Sequence, residues 1–211
     1  MSGSPYNLGQ AQVQISKGPV GERITFVQAN PISFLQNIQS TTATYDVAVL
    51  SHCIWYFANP SVLRDTLELL AVHAKRVCVA EYALRASRPS MLSHVIAALA
   101  QAALEAHIPE STNNIRTVLS PDAIKVIAQP FGLEVQEESI IVPPDTMFDG
   151  KWETEAVLRN AFSEDAIKYA EDERARALLF ALRDAVRANR DILNGKPVDT
   201  MDVWAVVFAS M

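Results

Sequence analysis

The sequence is short of cysteine and glycine, and each shortage closes off a class of function. Two cysteines, Cys53 and Cys78, stand among 211 residues. Two thiols without metal-ligand spacing build neither a disulfide scaffold nor a zinc site. Cys78, inside an apolar run, reads as a small core residue. Cys53 reads as lying at a pocket edge, with no activating partner in view. The seven glycines are dispersed, and none opens a phosphate loop, a nucleophile elbow or a calcium loop. Basic residues are also outnumbered, 18 to 24, leaving a formal net charge of −6. The densest basic stretch, Arg174–Arg190, is interleaved with Glu173, Asp184 and Asp191. Such a mixture reads as a solvated helix face, so no nucleic-acid partner is expected. Long apolar runs are missing too. Met91–Leu104 is too short to cross a bilayer and is interrupted by His94 and Gln101. Met1–Gln14 carries no basic residue of the kind that opens a targeting segment. These absences point to a cytoplasmic protein without a membrane partner or a metal.

What is present suits a globular α/β domain. Apolar residues make up 49% and charged residues 20%, ordinary values for a chain with a buried core. Strand-like and helix-like segments alternate. Arg23–Val27 reads as a short strand. Pro31–Gln39 reads as a helix, with Asn30 as its cap. Tyr45–Ser51 is nearly continuous apolar, the pattern of a strand buried on both faces. Pro60–His73 has helical spacing, and Arg76–Tyr82 is a second buried strand. The unit from Tyr45 to Tyr82 is therefore a strand–helix–strand crossover, which makes its two strands parallel and adjacent. A helix over Pro89–Ala106 follows. Ser120 caps the next, with Pro121 in its first turn. Leu133–Val142 reads as a strand, and Ser163 as the cap of a long amphipathic helix that ends at Asn194-Gly195. Met201–Ser210 is a last apolar strand. The chain reads as one domain over 1–211, with a helical segment at 1–22 and a loop or lid insertion at 143–162.

Several runs resemble a known family. YDVAVLSHCIWYFANP, from Tyr45, resembles the fourth strand and following loop of class I, Rossmann-like S-adenosylmethionine-dependent methyltransferases. RVCVAEY, from Arg76, resembles their fifth strand. GSPYNLGQAQ, AVLSHCIWYF, ESTNNIRTVLSP and MDVWAV together are similar to a fungal methyltransferase-like group. The resemblance implies a mostly parallel sheet with helices on both faces, S-adenosylmethionine as cofactor, and a small-molecule substrate methylated on oxygen or nitrogen. It also implies an amino-terminal truncation, because the family's first two strands and glycine-rich cofactor loop have no counterpart. In the family's sheet order, 3-2-1-4-5-7-6, those strands are central. Their loss leaves a bare edge on Tyr45–Ser51. Arg23–Val27, a second copy in a homodimer, or a partner chain would cover it. Two other functions stay open: a cofactor-independent cyclase or isomerase, and a non-catalytic pseudo-methyltransferase subunit.

Ligands in open α/β sheets bind beyond the carboxyl ends of the strands, which singles out the residues there. His52 is a candidate proton acceptor or a structural histidine. Glu81 ends its strand inside an apolar run. It reads as a general base, as a holder of a ligand amine, or as the partner of Arg85 or Arg116. By the resemblance, Asn30, Ser51, His52 and Cys53 would lie beside the cofactor, Asn30 being otherwise a helix cap. Trp55, Tyr56, Asn114, Arg116 and Trp152 would line the substrate pocket. Arg116 suits a carboxylate clamp or a loop salt bridge, and Trp152 a lid.

Overall fold

The computed structural model describes residues 7–38 and 45–210, which fall into two compact units, Met1–Ile38 and Gln39–Met211. In the first unit, α1 (Leu8–Ser16) starts from a reciprocal cap. The Gln10 N–H donates to Asn7 Oδ1 at 2.9 Å, and the Asn7 N–H donates to Gln10 Oε1 at 3.0 Å. A 3-10 turn at Gly21–Arg23 and α2 (Pro31–Gln36) complete it. The strand expected at Arg23–Val27 does not form: Arg23 closes the turn, and residues 24–28 belong to no ladder. A β-branched, aromatic run becomes a strand only beside a neighbour, and Phe26 and Val27 lie exposed. The end of the helix expected at Pro31–Gln39 lies outside the described residues.

The second unit is built on a four-stranded sheet in the order β1-β2-β4-β3. Its strands are β1 (Ala48–Ser51), β2 (Arg76–Tyr82), β3 (Leu133–Ile141) and β4 (Val203–Ser210). β1 pairs with β2 in parallel, Ala48 opposite Val77. Their crossover is α3 (Pro60–His73), begun by Asn59, whose side chain accepts from the Ser61 N–H. β4 runs back between β2 and β3, antiparallel to both. Three of the four strands therefore point the same way. This order matches the 4-5-7-6 portion of the order that the resemblance implies.

α3 and α5 (Pro121–Ala128) pack together against one face of the sheet. Leu50, Val77, Val79, Val206 and Phe208 are buried there with Leu63, Leu67 and Ile124. On the other face Val49, Cys78, Ala80, Ala205 and Val207 line an open groove, so the helical cover expected on both faces is complete on one. The expectation that β1 is buried on both faces fails at Val49, which is 68% exposed. β1 is an edge strand of the sheet, so its outward side chains lack neighbours on that side. Cys78, expected in the core, is half-buried in the groove.

A helical layer joins α4 (Leu92–Glu105), α6 (Asp149–Leu158), α7 (Asn160–Tyr169) and α8 (Glu173–Asp191) around Ala97, Leu104, Val157, Phe162 and Leu179. Ser163 does not cap the long helix; it lies inside α7. The cap of α8 is Asp172, whose carboxylate accepts from the Arg174 and Ala175 N–H groups at 2.9 Å each. An apolar stripe that runs on in register across Ala170 hides this break from a periodicity reading. No helix among the described residues is long and apolar enough to cross a membrane.

Candidate functional site

Because β1 and β2 are parallel and in register, their carboxyl ends, Ser51 and Tyr82, open on the same side. The backbone turns sharply at His52, with φ of 47°. That left-handed conformation is uncommon for a residue with a Cβ. The turn persists because the His52 N–H still donates to the Ala80 carbonyl at 2.8 Å, and because the next turn is tied to Glu81.

Glu81 is 1% exposed. Its Oε2 accepts from the Ile54 N–H at 3.1 Å and its Oε1 from the Tyr82 N–H at 3.0 Å. Both oxygens thus face backbone donors, and the carboxylate fastens the loop after β1 to the end of β2. His52 Nδ1 lies 3.5 Å from Oε1. Neither expected arginine is the partner. Arg85 faces Asp202 at 3.4 Å, and Arg116 donates to the carbonyls of Ser111 and Tyr56.

Arg116 therefore holds a loop rather than clamping a carboxylate. Its own N–H and that of Thr117 both donate to the Trp55 carbonyl, at 2.8 and 3.1 Å. The Thr117 hydroxyl donates to the Phe57 carbonyl at 2.8 Å. This lacing brings Asn114 and Ile115 into the same cavity as His52.

The third wall comes from α6. Gly150 sits so close to the preceding segment of β4 that a Cβ there would fall on the Asp199 carbonyl. The Thr200 hydroxyl accepts from the Gly150 N–H at 3.2 Å and donates to the Met147 carbonyl at 3.1 Å. Pinned in this way, the first turns of α6 bring Asp149 and Glu153, one helical turn apart, into the same cavity.

The cavity has a volume of about 210 Å3 and is lined by His52, Trp55, Tyr56, Glu81, Tyr82, Asn114, Ile115, Met147, Asp149 and Glu153. Tyr82 packs against His52 and Trp55, with ring centroids 4.6 and 5.2 Å apart. Three carboxylates line it and no lysine or arginine does, so its field favours a cation. Burial raises the Glu153 carboxyl above its ordinary range, opposed by the Gln101 amide, which donates to it at 2.7 Å. Burial, and then Asp149 beside it, push the Tyr82 hydroxyl far up. Tyr56 is raised too, by burial and then by Glu153. Both phenols stay protonated at neutral pH.

Five of the residues singled out in the sequence meet in this cavity: His52, Glu81, Trp55, Tyr56 and Asn114. The others lie elsewhere. Asn30 caps α2, its side chain accepting from the Ile32 and Ser33 N–H groups. Ser51 lines the open groove on the sheet. Cys53 is half-buried, its thiol pushed up to about 11 by burial and then by Glu81, which leaves no thiolate at neutral pH. Arg116 lines a neighbouring cavity with Glu105 and Glu110. Trp152 does not line the cavity; it is half exposed and 6.2 Å from Phe148 between ring centroids. Sequence reasoning missed Tyr82, Met147, Asp149 and Glu153. The signal was the pair Asp149 and Glu153 at helical spacing, inside the segment 143–162 read as a loop or lid insertion. Among the described residues no cluster of histidine, cysteine and carboxylate side chains is arranged to hold a metal.

No protein-family model matches the chain. Two curated fungal proteins do, both from Diaporthe leptostromiformis. Methyltransferase phomM′ is 25% identical over 239 aligned residues, covering 96% of this chain and 61% of that protein. Methyltransferase phomM is 26% identical over 193, covering 77% and 50%. The chain thus spans about half to three fifths of the length of these relatives. Among solved structures, a cyclopropane-fatty-acyl-phospholipid synthase-like protein from Lactobacillus casei ATCC 334 superposes with a TM-score of 0.77 at 25% identity, over 98% of this chain and 70% of that one. The architecture is that of the class I, Rossmann-like methyltransferases. Within that class the chain is methyltransferase-like, a relative of the two Diaporthe proteins.

Proposed function

We propose that this chain forms the acceptor side of a small-molecule methyltransferase site, and that the acceptor is an amine. The observation that carries this reading is the cavity beyond β1 and β2, where aromatic rings and three carboxylates meet without a lysine or arginine. An ammonium group in such a cavity meets carboxylates beside the aromatic side chains of Trp55, Tyr56 and Tyr82. Kinship with proteins named methyltransferase supports the transfer chemistry.

S-adenosylmethionine, the methyl donor of the class, supplies an electrophilic methyl group on a sulfonium when bound. The residues described here do not make its cradle. The close approaches at Gly21 and Gly150 are to the protein's own backbone, and among the described residues no glycine-rich turn follows a strand. The chain's own residues act on the acceptor. His52 stands where it would take the proton that an amine must lose before its lone pair can attack. Glu81, its oxygens held by two backbone donors, puts a carboxylate 3.5 Å from the His52 ring. Asp149 and Glu153 hold the substrate's ammonium group, and Trp55 shields it from water.

Calorimetric titration with isobutylammonium, isobutanol and isobutyrate tests the reading. It predicts that the ammonium binds best, and that Glu153→Gln and Asp149→Asn each weaken it severalfold. Preference for isobutyrate would reject an amine site. Turnover of an acceptor by His52 and Glu81 without any methyl donor would point instead to a cofactor-independent cyclase or isomerase.

A further inference from the structure

The start of α6 presents two pairs of side chains, one acidic and one aromatic, the latter made of Trp152 and the preceding cap residue Phe148. Asp149 and Glu153 face the cavity. Phe148 and Trp152, each one position earlier, are 53% and 49% exposed, with their rings tilted 41° to each other and centroids 6.2 Å apart. Trp152 directly precedes Glu153 on α6, and successive residues on a helix are about 100° apart, so Trp152, with Phe148 beside it, forms a shelf on the flank of the acidic mouth. Two large aromatics stand side by side here in solvent, next to a charged mouth rather than in the sheet groove where other apolar side chains are exposed.

The shelf is also held in a fixed place. Thr200 grips both Met147 and Gly150. Arg88 ties the loop before α6 to the segment before β4, reaching Asp145 at 3.2 Å and Asp199 at 3.5 Å. A preformed aromatic surface needs no ordering on binding.

We propose that the acceptor is longer than the cavity: an amine bearing an aromatic or bulky apolar group, with its ammonium between Glu153 and Asp149 and its apolar part on Phe148 and Trp152. This rests on the amine reading above and adds the second half of the substrate. Charge selects the end that enters, and the shelf selects what lies outside. Charge complementarity favours this occupant over an apolar protein surface, which would have to bury the two carboxylates unpaired.

The test compares isobutylammonium with 3-phenylpropylammonium by calorimetry, on the whole chain and on the double variant Phe148→Ala/Trp152→Ala. The proposal expects the aromatic amine to bind about tenfold more tightly to the native chain. It expects that advantage to vanish in the double variant while isobutylammonium binding is unchanged. Circular dichroism checks that the variant folds, and Trp152→Phe, which keeps a ring on the shelf, retains most of the preference. Equal affinity for the two amines overturns the proposal, as does a preference that survives the double variant. If neither amine binds, the cavity reading itself has failed and the shelf proposal falls with it. If only the aromatic pair matters and the charge does not, an apolar partner surface is the better account.

Discussion

His52 Nδ1 lies 3.5 Å from Oε1 of Glu81, on a carboxylate almost wholly removed from solvent. The same oxygen accepts the Tyr82 N–H, while the other accepts from Ile54. One side chain therefore joins the ends of two strands, shapes the turn that carries His52, and sets the charge beside its ring.

Glu81→Gln should therefore destabilise the chain, although it is nearly isosteric. An amide has one acceptor oxygen, so its NH2 group would confront a backbone N–H that is then left unpaired. The expected cost is about 2 kcal/mol, read from urea unfolding. A variant as stable as the parent would show that the two backbone contacts contribute little.

Gly150→Ala tests how α6 is held. A Cβ at this position collides with the Asp199 carbonyl, so α6 must shift. We expect a loss of about 1–3 kcal/mol together with weaker amine binding. Lys151→Ala, on the exposed side of the same helix, should change neither by more than about 0.5 kcal/mol.

The start of the long helix separates two residues that look equally good as caps. Asp172→Ala removes an acceptor for two N–H groups and should cost about 1 kcal/mol. Ser163→Ala, inside α7, should cost less than about 0.5 kcal/mol. Thermal melts of the two variants distinguish these expectations directly.

His94 supplies a pH signature. Burial lowers its imidazole from the usual 6.5 to about 3, while Nδ1 accepts the Met201 N–H at 2.9 Å. A base whose folded pKa is depressed keeps its full contribution above 6.5. It loses stability as the pH falls from there toward about 3, because only the unfolded chain takes up the proton. The slope approaches 1.4 kcal/mol per pH unit within that window. His94→Gln should lack this component when unfolding is followed across the window. Glu153 titrates in the opposite sense. Its folded pKa is raised from 4.5 by burial, so its contribution is complete below 4.5 and is lost as the pH rises through the raised value. Over the same interval, amine binding should tighten as the carboxylate forms.

Much of the fold was legible because pattern and packing agree. The apolar runs at Arg76–Tyr82 and Pro60–His73 have the periods of a strand and a helix, and both form over those bounds. Arg23–Val27 shows the limit: its strand-like composition is real, but a ladder needs a neighbour, which composition does not report. Ser163 and Asp172 are both sound caps by type, and only the backbone at Ala170 decides between them. In the site, His52 and Glu81 could be found because the ends of parallel strands are adjacent by topology. Asp149 and Glu153 reach them from 68 to 101 residues away along the chain through the contact of Gly150 with Asp199 and Thr200, and no local pattern encodes that contact.

The central claim is that the cavity selects a positively charged acceptor. Its most direct test is calorimetric titration of the 211-residue chain at neutral pH with isobutylammonium and with isobutanol, two molecules of the same shape that differ in charge. The account predicts that the ammonium binds about tenfold more tightly and that Glu153→Gln removes most of the difference. Equal affinities, or a preference for the alcohol, would contradict it.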